Sequence, residues 1–496
     1  MKTYLALDIG TSSTKACLYG EDGILLGSHS AGYELTYPRP GWAEQNPEDW
    51  WKAVKTVCHK ALSQADRSGL RSVCISGQAP LCVPVDRRGR TLRPAILWLD
   101  RRAASQVEQV RQALHDQPLD LVSGNTLDSY FGGLKWAWFA QNEPELYAQT
   151  WKILQANSYV LLRLTGEAAI DHSQAGLCSP CYHLTQRAWN VTVCERIGLD
   201  VEKLPQIGYA WEVVGQVTRQ AAESSGIPVN TPVVYGGGDF ACACLGAGVL
   251  QRGSAAMMLG TAGNLLVPAP ERTDPRLFNT VHVTGETLSL GGVLAGGSVR
   301  WFLEMLGSGR EDLLPVLEKE AVGLPPGAEG LLFLPYLLGE RTPIWDPQAR
   351  GAFLGLTTRH QRGHLYRAVL EGVALAYRQM AEIFTGMGSP IQEVIAINGG
   401  ARSPLWRQIF ADVLQVPVRW RPESGGTALG AAFLAALGVG DFHSTASLQA
   451  WLEPTVDTLP DPGSVAIYEG LYPIFSGLYG RLKDSFHALA QPDQGL

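Results

Sequence analysis

Tyr4-Leu5-Ala6-Leu7-Asp8-Ile9-Gly10-Thr11-Ser12-Ser13-Thr14-Lys15-Ala16-Cys17-Leu18-Tyr19 sets two apolar runs on either side of a small polar turn. Residues 4–7 read as a strand, Gly10-Thr11-Ser12-Ser13 as the turn, and 16–19 as a second strand. Gly20-Glu21-Asp22-Gly23 turns again into a third strand at 24–28, which makes an antiparallel meander. Helical periodicity follows at 47–65, 103–114 and 133–141, with a strand near 72–76, so the first half reads as an α/β domain. The opening pattern recurs: 255–259 is an apolar strand, Gly260-Thr261-Ala262-Gly263 a turn, and 264–267 the next strand. Leu7-Asp8-Ile9-Gly10-Thr11 then lies over Met257-Met258-Leu259-Gly260-Thr261. Gly-Thr between strands is also ordinary turn chemistry, but one such hairpin per half suggests two similar domains, 1–246 and 247–496. Pro/Gly segments at 323–330 and 460–463 read as loops.

Composition narrows the function classes. The 496 residues are 46% hydrophobic and 18% charged, enough to build two to four domains. The net charge of −7 gives no electrostatic reason to coat nucleic acid or an anionic membrane. No run approaches 18 uninterrupted apolar residues, and the N-terminus is too polar for a secretory h-region. A cytoplasmic globular protein is expected. Nine scattered cysteines suit free thiols; Cys178 and Cys181 form one Cys-x-x-Cys, which reads as buried thiols or, less simply, as a metal or redox pair.

Three segments could carry chemistry. At 8–15 a strand-end carboxylate precedes a turn rich in N–H groups and hydroxyls. Such a turn can cradle phosphate oxygens while Asp8 holds Mg²⁺ directly or through water, or it is merely a polar β-turn. It is not a P-loop, which needs a different spacing and a following helix. Gly236-Gly237-Gly238-Asp239 follows the apolar strand 232–235 and precedes a helix at 240–249. There Asp239 suits a general base toward a hydroxyl, or an N-cap for the first-turn donors. Ile395-Ala396-Ile397-Asn398-Gly399-Gly400-Ala401-Arg402-Ser403 ends a buried strand in a Gly-Gly turn, with a helix from about Ser403, a setting where nucleotides bind. Glu423-Ser424-Gly425-Gly426-Thr427 is another small-residue turn before a helix.

Together these segments resemble the FGGY carbohydrate kinases of the sugar kinase/Hsp70/actin superfamily over nearly the whole chain. Gly351-Ala352-Phe353-Leu354-Gly355-Leu356 followed by His364-Leu365-Tyr366-Arg367-Ala368-Val369-Leu370-Glu371 fits one family signature throughout. In the other, Lys135, Trp138, Phe139 and Asn142 fit, whereas Gly132 stands where Pro, Ser or Thr is expected. Trp42-Ala43-Glu44-Gln45, Trp98-Leu99-Asp100-Arg101-Arg102 and Gly339-Glu340-Arg341-Thr342-Pro343 are further landmarks, closest to the xylulose kinase branch.

The resemblance implies two actin-like (RNase H-like) α/β domains with an interdomain cleft, the sugar site and base in the first and the nucleotide site in the second. It implies ATP and Mg²⁺ as cofactors and a small sugar or polyol as substrate, D-xylulose first, with ribulose, gluconate, a polyol or a deoxy-ketose as alternatives. A non-catalytic sugar or ATP sensor is the competing class; a homodimer is a possible assembly. By the same resemblance Asp8 is the Mg²⁺-linked carboxylate, and Gly10, Thr11, Ser12, Ser13 and Lys15 lie near the γ-phosphate. Asp239 takes the proton of the sugar's primary hydroxyl. Gly260, Thr261, Gly296 and Arg300 lie along the nucleotide, Gly399 and Gly400 near the adenosine, and Gln78, Ala79, Pro80 and Asp100 on the sugar side. Two positions depart from the branch: Gly77-Gln78-Ala79-Pro80 replaces Gly-Gln-Met-His, and Phe240 stands where Asn is frequent after the base.

Overall fold

The computed structural model describes residues 1–117, 122–307, 313–422 and 425–490. Of the small-residue turn at 423–427, Glu423 and Ser424 lie outside the described residues. The chain forms two compact units, each drawing on separate stretches of sequence. The first comprises 1–250, 273–288 and 424–452; the second comprises 251–272, 289–423 and 453–496.

The first unit is built on strands β1 (Thr3–Ile9), β2 (Ser13–Gly20), β3 (Leu25–Gly32), β4 (Leu70–Gly77), β5 (Val213–Gln216) and β6 (Pro232–Val234). Their order across the sheet is β5-β6-β4-β1-β2-β3, and Gly237–Gly238 pairs with β4 beyond β6. The meander β1-β2-β3 is antiparallel, while β1, β4 and β6 run parallel. Strand β1 is buried along nearly its whole length, as a strand covered on both faces must be. The Pro47–Leu62 helix packs on β2 and β3 with Trp50, Val54, Val57 and Ala61 buried. Asn46 starts it by accepting from the Glu48 N–H at 3.1 Å, with Pro47 in the first turn.

The other face is covered by the Gly426–Gly438 helix, which packs on β1 and β4 and against the Asp239–Gly246 helix. Small side chains let the two helices touch backbone to backbone. A Cβ on Gly430 would lie 2.0 Å from the Cys242 carbonyl oxygen, and one on Gly246 2.0 Å from that of Gly426.

The second unit repeats the plan. Its strands are β7 (Ser254–Leu259), β8 (Ala262–Ala269), β9 (Thr287–Leu294), β10 (Glu393–Ile397), β11 (Val418–Trp420) and β12 (Val456–Thr458), in the order β9-β8-β7-β10-β11-β12. Here too a central antiparallel hairpin, β7-β8, is flanked by parallel strands, β10 and β11, and an antiparallel edge, β12. The hairpin recurrence read from sequence is therefore a recurrence of topology.

Several boundaries differ from expectation: the third strand runs Leu25–Gly32 and the first helix ends at Leu62. The helix expected at 240–249 runs Asp239–Gly246. The 460–463 loop gives way at Pro462 to the Pro462–Leu489 helix, because Asp461 accepts from the Ser464 N–H at 2.8 Å and proline suits the first turn. Among the described residues no helix is long and apolar enough to cross a membrane.

We expect Gly430→Ala to lower the thermal unfolding midpoint by several degrees, because the helices must part by more than a core can relax cheaply. Gly480→Ala, where nothing lies within 4 Å of the added methyl, should leave the midpoint unchanged or raise it slightly.

Candidate active site

In the first unit the candidate residues gather where parallel strands end, the usual place for ligands in such sheets. Asp8 on β1 lies opposite Lys15 on β2 and Ser76 on β4, and Ser76 lies opposite Gly237. One level of the sheet thus holds Asp8, Ser76 and the Gly236–Asp239 turn. The turn depends on glycine: Gly236 has φ +71°, and a Cβ there would sit 1.9 Å from the Ile75 carbonyl oxygen. The Gly238 N–H donates to Ser173 Oγ at 2.9 Å, which anchors the turn.

Asp239 is the first residue of its helix, and its carboxylate accepts from the adjacent Phe240 N–H at 2.7 Å. It caps no donor further along the helix. Desolvation pushes its carboxyl up to about 7, and the nearby charge of Asp8 adds to the shift. Desolvation raises Asp8 as well, against the Ser76 hydroxyl, which donates at 2.9 Å, and the charge of Lys15. Two carboxyls in one poorly hydrated place make a proton acceptor poised near neutrality beside a centre that attracts cations.

The turn after Asp8 is closed by the Gly10 N–H donating to the Ser13 carbonyl at 3.0 Å. Ser12 and Lys15 are exposed, and Thr11 and Ser13 are half-buried. Thr11 Oγ1 donates to Gln78 Oε1 at 3.2 Å and accepts from Trp98 Nε1 at 3.1 Å. Gln78 donates to the Gly10 carbonyl at 3.2 Å and to Gln45 Oε1 at 3.0 Å. The buried Gln78 therefore holds the hairpin turn in place.

Asp100 is fully buried. Its oxygens accept from the Ala43 N–H at 2.6 Å, the Arg102 N–H at 2.8 Å and the Arg102 guanidinium at 2.9 and 2.7 Å. That commits it to holding the 42–45 and 98–102 loops together, a positioning role.

Ala79 and Pro80 are buried, and Pro80 lies beside Gly132, which departs from the family signature. A Cβ on Gly132 would meet Pro80 Cβ at 3.3 Å and Cys178 Sγ at 3.2 Å. A larger residue at 132 would thus crowd both Cys178 and Pro80. Cys178 and Cys181 are buried, and burial contributes to holding both thiols protonated. Lys135 is also fully buried, donating to the Ser129 carbonyl at 2.8 Å and to that of Tyr130; desolvation lowers its ammonium to about 7.

In the second unit the Gly260-Thr261 turn meets the start of the Gly296–Met305 helix. The Gly296 N–H donates to the Gly260 carbonyl at 2.8 Å and the Gly297 N–H to that of Thr261 at 2.9 Å. A Cβ on Gly296 would be 2.6 Å from the Gly260 oxygen. Arg300 is exposed one turn along. Gly399 and Gly400 follow β10, which is parallel to β7. Gly400 packs on Leu259 and Trp406, whereas a Cβ on Gly399 would meet nothing within 4 Å. Gly260, Thr261, Gly296 and Gly400 thus form one glycine-lined strand-end region.

Sequence reasoning did not single out Ser76 and Ser173, which hold Asp8 and the glycine turn. Ser76 had a signal, a lone hydroxyl closing the apolar run Val73-Cys74-Ile75. Ser173 had none.

Residues 3–246 match the N-terminal domain of the FGGY family of carbohydrate kinases, and 255–439 match its C-terminal domain. The chain belongs to that family and is an ATP-dependent sugar phosphotransferase. The xylulose kinase of Bacillus subtilis (strain 168) is 31% identical over 504 residues, covering 99% of each chain. The gluconokinase of the same strain is 28% identical over 505 residues, covering 99% of this chain and 98% of its own. The crystal structure of xylulose kinase from Rhodospirillum rubrum superposes with a TM-score of 0.91 at 32% identity, covering 98% of this chain and all of that one.

The raised Asp239 carboxyl carries a stability signature. Its group ordinarily titrates at 3.8 and here at about 7, so the native state binds more protons between those values and stability falls as pH rises through that window. Asp239→Asn removes the penalty. Its unfolding midpoint should exceed that of the wild type at about pH 8, with the gain fading toward about pH 4. A gain that did not vary with pH would contradict the shifted carboxyl.

Proposed function

We propose that this chain phosphorylates the primary hydroxyl of a small ketose, converting D-xylulose to D-xylulose 5-phosphate. The observation that carries the reading is Asp239, a carboxylate with a raised pKa on a rigid glycine turn beside a second carboxylate. Asp239 takes the hydroxyl proton as the sugar oxygen bonds to the γ-phosphorus. The bond to the β,γ-bridging oxygen breaks, and ADP leaves with its electron pair. The Gly10–Ser13 turn offers N–H groups and hydroxyls to the γ-phosphoryl oxygens, and Gly260, Thr261, Gly296 and Arg300 line the nucleotide, with Gly399 and Gly400 beside the adenosine. The ketose follows from the relatives: the Bacillus subtilis and Rhodospirillum rubrum proteins similar over nearly the whole chain are xylulose kinases.

The donor set suits Mg²⁺. Among the described residues no three His, Cys, Asp or Glu side chains converge on a point, and Mg²⁺ is commonly held by one or two carboxylates, water and substrate phosphates. Asp8 would hold it, where it would neutralise charge on the phosphate oxygens.

A second reading rests on the sugar loop. Ala79 has no polar side chain and Pro80 no N–H, which favours a substrate with fewer hydroxyls facing them, such as a deoxy-ketose or a polyol.

A coupled ADP-release assay across D-xylulose, D-ribulose, gluconate, deoxy-ketoses and polyols decides between the readings. We expect the highest kcat/KM with D-xylulose; a higher value for a deoxy-ketose or polyol selects the second reading, and no sugar-dependent ADP release excludes both. Asp239→Asn should lower kcat on the order of 10²–10⁴-fold while ATP still binds. For the wild type kcat/KM should rise through about pH 7 as Asp239 loses its proton. A variant keeping more than about a third of kcat would remove Asp239 from the chemistry.

Asp8→Ala should raise the Mg²⁺ concentration needed for half-maximal rate and leave sugar binding without nucleotide unchanged. Loss of sugar binding with an unaltered Mg²⁺ requirement would place Asp8 with the sugar.

A further inference from the structure

Asn398 ends β10 at φ 71° and ψ −176°, backbone that is essentially reserved for glycine. Two glycines follow it, so a third would have been the relaxed choice. Asparagine is held there without a local reason: it precedes the short 3₁₀ turn Gly399–Arg402, yet its side chain caps none of that turn's N–H groups. Ser403, by contrast, accepts from the Trp406 N–H at 3.0 Å to start the next helix. The Asn398 residue is exposed, and its Nδ2 lies 3.4 Å from where a Cβ on Gly260 would stand. An amide donor is therefore suspended over the Gly260-Thr261 turn, on strained backbone.

We propose that the Asn398 carboxamide donates a hydrogen bond to a phosphate oxygen of the bound nucleotide, between the Gly260-Thr261 turn and the Gly399-Gly400 turn. This rests on the assignment of those turns to the nucleotide. A carboxamide is neutral and directional, so it orients the phosphate chain without the non-specific pull of a lysine. The backbone strain is tolerated because the amide acts on the ligand, which is where such outliers gather.

The test measures thermal midpoint and calorimetric binding of ATP and adenosine for Asn398→Gly, Asn398→Asp and Gly399→Leu. Asn398→Gly relaxes the backbone, so its midpoint should rise by about 2 °C or more, while ATP binds about tenfold more weakly and adenosine as before. Asn398→Asp keeps the shape but sets a negative charge against phosphate, so ATP should weaken further and adenosine again hold. Gly399→Leu fills open space beside the adenosine and should weaken both ligands without unfolding. Unchanged ATP affinity in Asn398→Gly, or an equal loss for adenosine, overturns the inference. If Gly399→Leu still weakens both ligands, the nucleotide assignment survives that failure; if Gly399→Leu changes neither, the assignment falls as well.

Discussion

Two carboxyls, Asp8 and Asp239, are held within electrostatic reach of each other at the ends of parallel strands, in surroundings that hydrate neither well. This constraint organises the first unit. Charge in such a place is costly, so the protein meets part of the cost locally with the Ser76 hydroxyl, Lys15 and the Phe240 N–H. The glycines at 236–238 serve the same end, letting the chain turn against the Ile75 carbonyl so that Asp239 arrives beside Asp8.

The helix that presents Asp239 is fixed by residues almost two hundred positions later in the chain. The Gly426–Gly438 helix crosses it with backbone atoms in contact, and Thr427 Oγ1 donates to the Asp239 carbonyl at 3.4 Å. Only Gly and Ala allow such an approach, which explains a helix so rich in both. Packing on β1 and β4 then ties the Asp239 helix and the Asp8 strand to one frame.

The duplicated sheet is put to two different uses. Asp8 and Met258 occupy corresponding places in the two hairpins, and both are half-buried. In the first unit that place carries charge; in the second it is apolar, and the polar capacity moves to the turn itself, to the Gly296 helix start and to Asn398. One strand-end architecture thus presents a carboxylate once and a glycine-lined turn once.

The sequence by itself determined the class of fold, because alternation, turn glycines and hairpin recurrence are local, and they placed β1, β2, β7, β8 and the loops holding Asp8, Asp239 and Gly399 within a few residues. The boundary at Pro462 was also local, written in an Asp-Pro start that reads equally well as a loop. What only the tertiary structure decided concerns residues far apart in the chain. The resemblance puts Asp100 on the sugar side, and packing is what brings Ala43 and Arg102 onto its carboxylate. Gly132 and Pro80 read as separate departures, yet they share one contact. The strain at Asn398 is invisible in its letter. Burial, pKa and backbone strain are set by neighbours brought together through packing, and a linear pattern does not encode which distant side chain will desolvate, bond or crowd which.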